Sequence, residues 1–437
     1  MWRLLLTITV ACAPQGQAAA RPSDPPALLG GGSPTSPEAP ELTLLTVGPG
    51  VELYARFGHA ALLVRWPDGY EAVFNYGYTD FADSALIWSF LRGRARFWVA
   101  ESSLMTSIRE YQRDDRSLYR QVLQLSPDAA RRAAWLLVRQ ARPENRYYVY
   151  HHFEDNCSTR LRDVLDQVTA GALRRQLGGR EGPPGSLRSL VRRGFASELG
   201  LLVGVDLLLG RTLDRRLSQW EAVFLPRVLS DALMQVRLAD CGKHGEAHPC
   251  ALADTPDVIY RRRARAPDEG HDPLAGVKLL WTVAGGAVLL GLLTILLARR
   301  RSRWAGLPVV LAALPLALLG LVVWSVVAMA SLPELRENEL VLVLWPLDLA
   351  LIWPGVRWLR GRLWAGRLLR GYLGLRLVAL ALVLLGHVTG VLVQQPLAWL
   401  ALDLTLVLST FLAARSVSPV RPVRTPGEAP CRSMHGS

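Results

Sequence analysis

The chain reads as an α+β exported domain followed by an α-helical membrane bundle. Three observations predict this. Up to about Gly276 the sequence is polar and mixed, and beyond it mostly apolar. Residues 59–78 carry the alternation and turn residues of a hairpin. After Cys157 the apolar residues Leu161, Val164, Leu165 and Val168 follow helical spacing.

The chain has 437 residues, enough for two or three domains. Met1-Trp2-Arg3, an apolar run from Leu4 to Ala11 and the small residues Ala18-Ala19-Ala20 read as a signal peptide over residues 1–20. Val10-Ala11-Cys12 loosely resembles a lipoprotein cleavage box, but lacks a leucine three residues before the cysteine. Residues 21–44 read as a flexible linker, with six prolines in residues 21–40. A catalytic domain is expected over residues 45–235, outside the cytoplasm. A connector follows over residues 236–276, five membrane helices over 277–414 and a cytoplasmic tail over 415–437.

The net charge of +13 raises the question of nucleic acid. Many of the arginines flank apolar runs, where they set orientation, and no basic stripe interleaves with aromatics, so a nucleic-acid partner is discounted. The apolar runs are 279–298, 306–331, 340–356, 372–393 and 397–413, each near the length needed to span a bilayer. Arg299–Arg303, Arg357–Arg370 and Arg415–Arg424 fall on alternate loops and share one side, which the positive-inside rule makes cytoplasmic. Arg261–Arg265 run against this, but they follow an already exported domain. Asp348, His387 and Asp403 lie within spans; such groups are costly in lipid, and either a functional role or interhelical hydrogen bonding accounts for them. Pro346 and Pro354 predict an irregular third span.

Of five cysteines, Cys241 and Cys250 bracket a short loop in an exported, oxidising setting. They read as a disulfide, with a zinc site of Cys241, His244, His248 and Cys250 as the alternative. Cys157 then has no obvious partner, as a catalytic thiol requires.

Residues 59–66 alternate as a strand, Pro67-Asp68-Gly69 turns, and Glu71–Tyr78 returns. A three-residue turn pairs 66 with 70, and hence 59 with 77. Asn75 then lies diagonally beside His59 on one face. A slip of one residue would present Tyr76 instead. Tyr147–Tyr150 reads as a strand leading to Cys157, which opens a helix capped by Ser158 or Thr159. A cysteine at a helix start, near an imidazole, has a lowered pKa. The expected catalytic group is therefore Cys157 as nucleophile, His59 as base and Asn75 as its orienter. Asp155, Asn156, Arg160 and Tyr76 are the expected substrate-binding groups, with Arg160 near an anionic headgroup. The plainer reading of Arg160, Arg162 and Asp163 is a salt-bridged helix face. A metal at His151, His152, Asp155 and Cys157 is disfavoured, because adjacent histidines on a strand point to opposite faces. No metal or cofactor is assigned.

The runs Phe57–Val64, Asn75-Tyr76-Gly77 with Asp80-Phe81, Asp155–Asp163 and Trp220–Pro226 resemble the Lnb family over about residues 45–235. Pro333, Asn338 and Pro346 resemble its membrane part. The chain departs from the pattern at Glu154 and His151-His152, where aromatic residues are expected. The histidine-before-cysteine order also resembles the permuted papain-like folds of NlpC and lecithin–retinol acyltransferase relatives. The resemblance implies His59 and Cys157 as catalytic residues. It also implies a bacterial inner-membrane, multi-pass protein with its catalytic domain in the periplasm. The implied reaction moves a fatty acyl chain from a phospholipid donor, through a cysteine thioester, to an amine such as a lipoprotein N-terminus. The alternatives are a papain-like cell-wall peptidase or lipase, and a non-catalytic membrane sensor or scaffold.

Overall fold

The computed structural model describes residues 38–241, 248–363, 365–394 and 396–417, without the side chains of 240, 241 and 248. The expected signal peptide, most of the linker and most of the tail lie outside these residues. One compact unit runs up to Leu280 and takes in Val323–Glu339 and Val393–Gln395; the other holds Trp281–Val322, Leu340–Leu392 and the chain from Pro396 on. The class is mixed α+β, with a sheet domain followed by a helical region.

The sheet domain is built on eleven strands among the described residues: β1 Glu41–Val47, β2 His59–Arg65, β3 Glu71–Tyr78, β4 Arg96–Ser102, β5 Leu118–Val122, β6 Tyr147–Val149, β7 Glu181–Ser186, β8 Arg216–Ser218, β9 Arg237–Cys241, β10 His248–Ala251 and β11 Asp257–Tyr260. Seven of them form one sheet in the order β11-β5-β1-β2-β3-β4-β6, every pair antiparallel. The helices of this unit are α1 Leu86–Leu91, α2 Leu104–Arg113, α3 Pro127–Ala141, α4 Cys157–Val168, α5 Ala172–Leu177, α6 Leu187–Gly194, α7 Leu199–Leu208, α8 Gln219–Ala222 and α9 Pro226–Gln235.

Alternation along the strands sorts the core into two layers. Leu42, Leu44, Leu62, Val64, Phe74 and Tyr76 face α3, α4 and α9. Leu45, Ala61, Leu63 and Val73 face α2 on the other side, against Tyr111 and Ile108. The β2–β3 hairpin has the expected register, with Arg65 opposite Glu71 and Ala61 opposite Asn75. Trp66 N–H donates to Tyr70 O at 2.8 Å, closing the turn over Pro67-Asp68-Gly69.

Arg188 on α6 is fully buried and fully satisfied. It meets both oxygens of Asp214 at 2.8 Å and donates to the carbonyls of Val205, Leu209 and Gly210 at the end of α7. Leu209 and Gly210 lie past the last turn of α7, so Arg188 closes that helix end.

Cys250 is disulfide-bonded. Residues 242–247 and the side chains of Cys241 and His248 lie outside the described residues, and the pairing with Cys241 and the zinc alternative with His244 both fall there.

Five segments are long and apolar enough to cross a membrane: Ala275–Arg299, Arg303–Met329, Pro333–Leu359, Arg367–Val388 and Leu397–Ser416. The third is broken as its prolines predict, into pieces at Pro333–Arg336, Glu339–Leu342, Pro346–Leu351 and Ile352–Leu359. Within the second unit the fully buried Arg376 bridges two of the intramembrane acids. Its Nη2 lies 2.9 Å from Asp348 Oδ2 and also meets Asp403 Oδ2. The same guanidinium donates to Val343 O at 2.8 Å and lies over the Trp345 ring, and Tyr372 Oη donates to Asp348 at 2.6 Å. Asp348 and Asp403 are thus a buried ion-pair cluster, centred on an arginine that apolar periodicity gives no reason to single out. His387 stands outside it.

Candidate active site

The site forms at the end of the sheet where β2 begins and β3 ends. Gly58 holds φ +83, and a Cβ there would sit 2.6 Å from Val47 O. Only glycine accepts that conformation and that contact, so Phe57-Gly58-His59 delivers His59 to the first position of β2. From there the imidazole Nε2 lies 3.2 Å from Asn75 Oδ1. The Asn75 amide is buried and cannot turn over. Its Nδ2 donates to Val73 O at 3.3 Å and to Ser102 Oγ at 3.1 Å, and Ser102 is hydrogen-bonded in turn to Ser107 on α2 at 2.9 Å. Oδ1 therefore points at the ring and accepts from Nε2–H. That leaves Nδ1 as the basic nitrogen.

Cys157 is the first residue of α4, and the residue before it caps the helix. Asn156 Oδ1 accepts from Ser158 N at 2.9 Å and Thr159 N at 3.0 Å, while Thr159 Oγ1 accepts from Asn156 N at 2.7 Å. This reciprocal capping box replaces the expected cap by Ser158 or Thr159 and puts the thiol at the positive end of the helix. Asn156 Nδ2 donates to His152 O at 2.8 Å and Phe224 O at 2.9 Å, pinning the loop to the Trp220–Pro226 segment. Arg162 adds a second tie: it donates to Trp220 O at 3.2 Å and lies over that ring at 4.0 Å.

Burial pushes the Cys157 thiol up. The charge and hydrogen bond of His59, the Ala60 N–H and the Ser158 hydroxyl outweigh it, and the net pKa is lowered. Cys157 is a free thiol, partly exposed. Gly77, at φ +100, lies against it, with the position of a Cβ 3.9 Å from the Cys157 Cβ. A bulge between β3 and β4 at this point frees the backbone to turn there.

The structure brings His59, Asn75 and Cys157 together. The four expected substrate-binding residues sit differently. Asn156 is buried and its amide is consumed by the cap and the two carbonyls. Tyr76 is fully buried on the opposite sheet face, where its hydroxyl donates to Gln140 Oε1; burial pushes its phenol up. Asp155 and Arg160 form a two-pronged ion pair beside the helix start, with Nη2 2.7 Å from Oδ2 and the guanidinium 4.3 Å over the Tyr148 ring. Only this pair is open enough to meet a substrate.

Sequence reasoning missed four contributors. Ser102 and Ser107 hold Asn75 from a neighbouring strand and helix, which only β3–β4 register decides. The Ala60 N–H contacts the sulfur through backbone, which leaves no side-chain signal. His151 closes a tight turn, its Nδ1 accepting from Phe153 N at 3.3 Å and Glu154 N at 3.2 Å, and its Nε2 lies 3.5 Å from Glu334. Burial works against a charged His151 ring, but the hydrogen bond and charge of Glu334 outweigh it and raise its pKa.

No curated protein and no solved structure matches the chain. Residues 34–193 match the family model described as the Lnb N-terminal periplasmic domain, which covers the hairpin, the strand before the cysteine and the helix it opens. With that match ahead of five helices long and apolar enough to cross a membrane, the chain is a multi-pass inner-membrane protein with its N-terminal domain in the periplasm.

Proposed function

We propose that the protein is a thiol-dependent acyltransferase acting on phospholipid, with Cys157 as nucleophile, His59 as acid and base and Asn75 as the group that orients His59. The observation that carries this reading is the imidazole held between Asn75 Oδ1 and the Cys157 sulfur, with the thiol pKa lowered. The order His59, Asn75, Cys157, with an antiparallel sheet behind a helix that starts at the cysteine, supports a permuted papain-like fold for this domain.

The Cys157 thiolate attacks the acyl carbonyl of the donor and forms a C–S bond. Ser158 N and Thr159 N are taken by the Asn156 cap, so the Cys157 N–H, with no acceptor among the described residues, is the helix-start donor left for the oxyanion. Collapse breaks the ester C–O bond, and the leaving lysophospholipid oxygen takes the proton of the His59 imidazolium. An amine then attacks the thioester. Its C–N bond forms, the C–S bond breaks, and the departing amine proton returns to His59, restoring the thiolate–imidazolium pair. The N-terminal cysteine of a lipoprotein is the proposed acceptor, on the strength of the family resemblance. A papain-like hydrolase would differ only in using water at the second step.

Wild-type protein purified from membranes should carry a hydroxylamine-labile mass increase of one fatty acyl chain on the peptide holding Cys157. His59→Ala should prevent its formation, and a lipoprotein acceptor should discharge it. Full activity in Cys157→Ser, or no trappable thioester under any donor condition, rules the mechanism out.

A further inference from the structure

Helix α1, Leu86-Ile87-Trp88-Ser89-Phe90-Leu91, has no buried residue. Ile87 is 48% and Trp88 50% exposed. A soluble domain has little reason to present such a helix to water. Its surroundings identify what covers it. Leu91 O accepts from Ser331 N at 2.9 Å, and the Leu332 side chain lies against Gly93. Ser331 follows the second membrane span by two residues, and the end of that span, from Val323, belongs to the same compact unit as the sheet. Trp324, exposed seven residues before Ser331, has the side chain that favours the membrane–water boundary. Five residues of helical rise and two residues beyond the helix separate Trp324 from Ser331 by about 15 Å at most. The C-terminal end of α1 is therefore tethered at headgroup depth.

Two further observations agree. The short apolar helix α7 is tied to the same segment, with Gly210 N donating to Glu334 O, Arg211 N to Glu337 O and Asn338 Nδ2 to Leu207 O. Directly after α1 come the exposed Arg92 and Arg94, giving the pairing of Trp and aliphatic residues with basic residues that marks an interfacial helix. From α1, Phe90 stacks on His152 at 5.3 Å and meets the Tyr150 ring at 6.0 Å, so the helix is packed onto the loop that carries Cys157.

We infer that α1 is an interfacial element that inserts Ile87 and Trp88 among the lipids of the periplasmic leaflet, with Arg92 and Arg94 against anionic headgroups. This extends the proposed function by giving the lipid donor a side from which to reach Cys157, but the membrane contact itself does not depend on catalysis.

The test places a photoreactive benzoylphenylalanine at position 88 of the full chain. It uses Cys157→Ala protein in vesicles of phosphatidylethanolamine and phosphatidylglycerol, so that acyl transfer plays no part. Trp135, which is exposed on α3 and has no tie to the span segment, is the control position. Phospholipid adducts at position 88 should exceed those at 135 by about ten-fold. Exchanging phosphatidylglycerol for phosphatidylcholine should lower the yield several-fold, and Arg92→Gln/Arg94→Gln should remove that dependence. Equal yields at 88 and 135, or adducts at 88 with protein instead of lipid, overturn the inference. A yield that ignores headgroup charge overturns the role of the arginines. If position 88 fails while wild-type protein still forms the thioester, the membrane contact is wrong and the acyltransferase reading stands.

Discussion

The Nε2 atom of His59 lies 3.2 Å from Oδ1 of Asn75, across a diagonal of the β2–β3 hairpin. Because Asn75 Nδ2 is already committed to Val73 O and Ser102 Oγ, the contact fixes which ring nitrogen carries the proton. The tautomer of the proposed base is thus set by a strand neighbour and a serine relay.

Asn75→Ala should lower thioester formation by about tens-fold with the fold intact, since it frees the ring to rotate and change tautomer. Circular dichroism and the acylation rate check this together. Asn75→Asp should retain more activity than the alanine variant, because a carboxylate still accepts from Nε2–H. Wild-type rates in Asn75→Ala would mean that another group orients His59.

The lowered pKa of Cys157 has a direct pH consequence. A thiol whose folded pKa is below its ordinary value is thiolate at pH values where a free cysteine is still protonated. Alkylation of Cys157 by iodoacetamide should rise with pH and level off earlier than for a model thiol. His59→Ala removes the main favourable charge, so its inflection should move to higher pH. An unchanged profile in that variant would remove His59 as the cause.

Asn156→Ala deletes the helix cap and leaves the His152 and Phe224 carbonyls without their donor. A loss of about 1–2 kcal/mol is expected from the cap alone. Denaturant titration of the chain in detergent should find it, with a fall in Cys157 reactivity because the helix start is no longer pinned. Asn156→Asp should restore the cap but not the two donations, giving an intermediate loss.

Arg376→Leu leaves Asp348 and Asp403 buried without their counter-charge. Removing one member of a buried ion-pair cluster costs about 3–5 kcal/mol. Size-exclusion thermal stability in detergent should drop sharply. Replacing all three by Asp348→Asn, Arg376→Met and Asp403→Asn should recover most of it. If the triple variant is stable but inactive, the cluster has a role beyond holding the spans together.

The sequence alone determined the hairpin and its register, because Pro67-Asp68-Gly69 leaves one way to close the turn. It determined that a helix opens at Cys157, since local spacing and polar capping residues are properties of neighbours in the chain. The five apolar runs and the break in the third were legible for the same reason: length, hydropathy and proline act locally. Tertiary structure decided the rest. The Tyr76 hydroxyl finds its partner, Gln140, only where α3 packs on the sheet. Asn156 was spent on the cap and on Phe224 O, a partner 68 residues away. The proton on His59 depends on Ser102, which reaches Asn75 only through β3–β4 pairing. Arg376 finds Asp348 and Asp403 only when three spans pack, and a charge in an apolar run carries no mark of its partner. The tie of α1 to Ser331 joins segments some 240 residues apart, which backbone hydrogen bonding can do without leaving any pattern in the side chains.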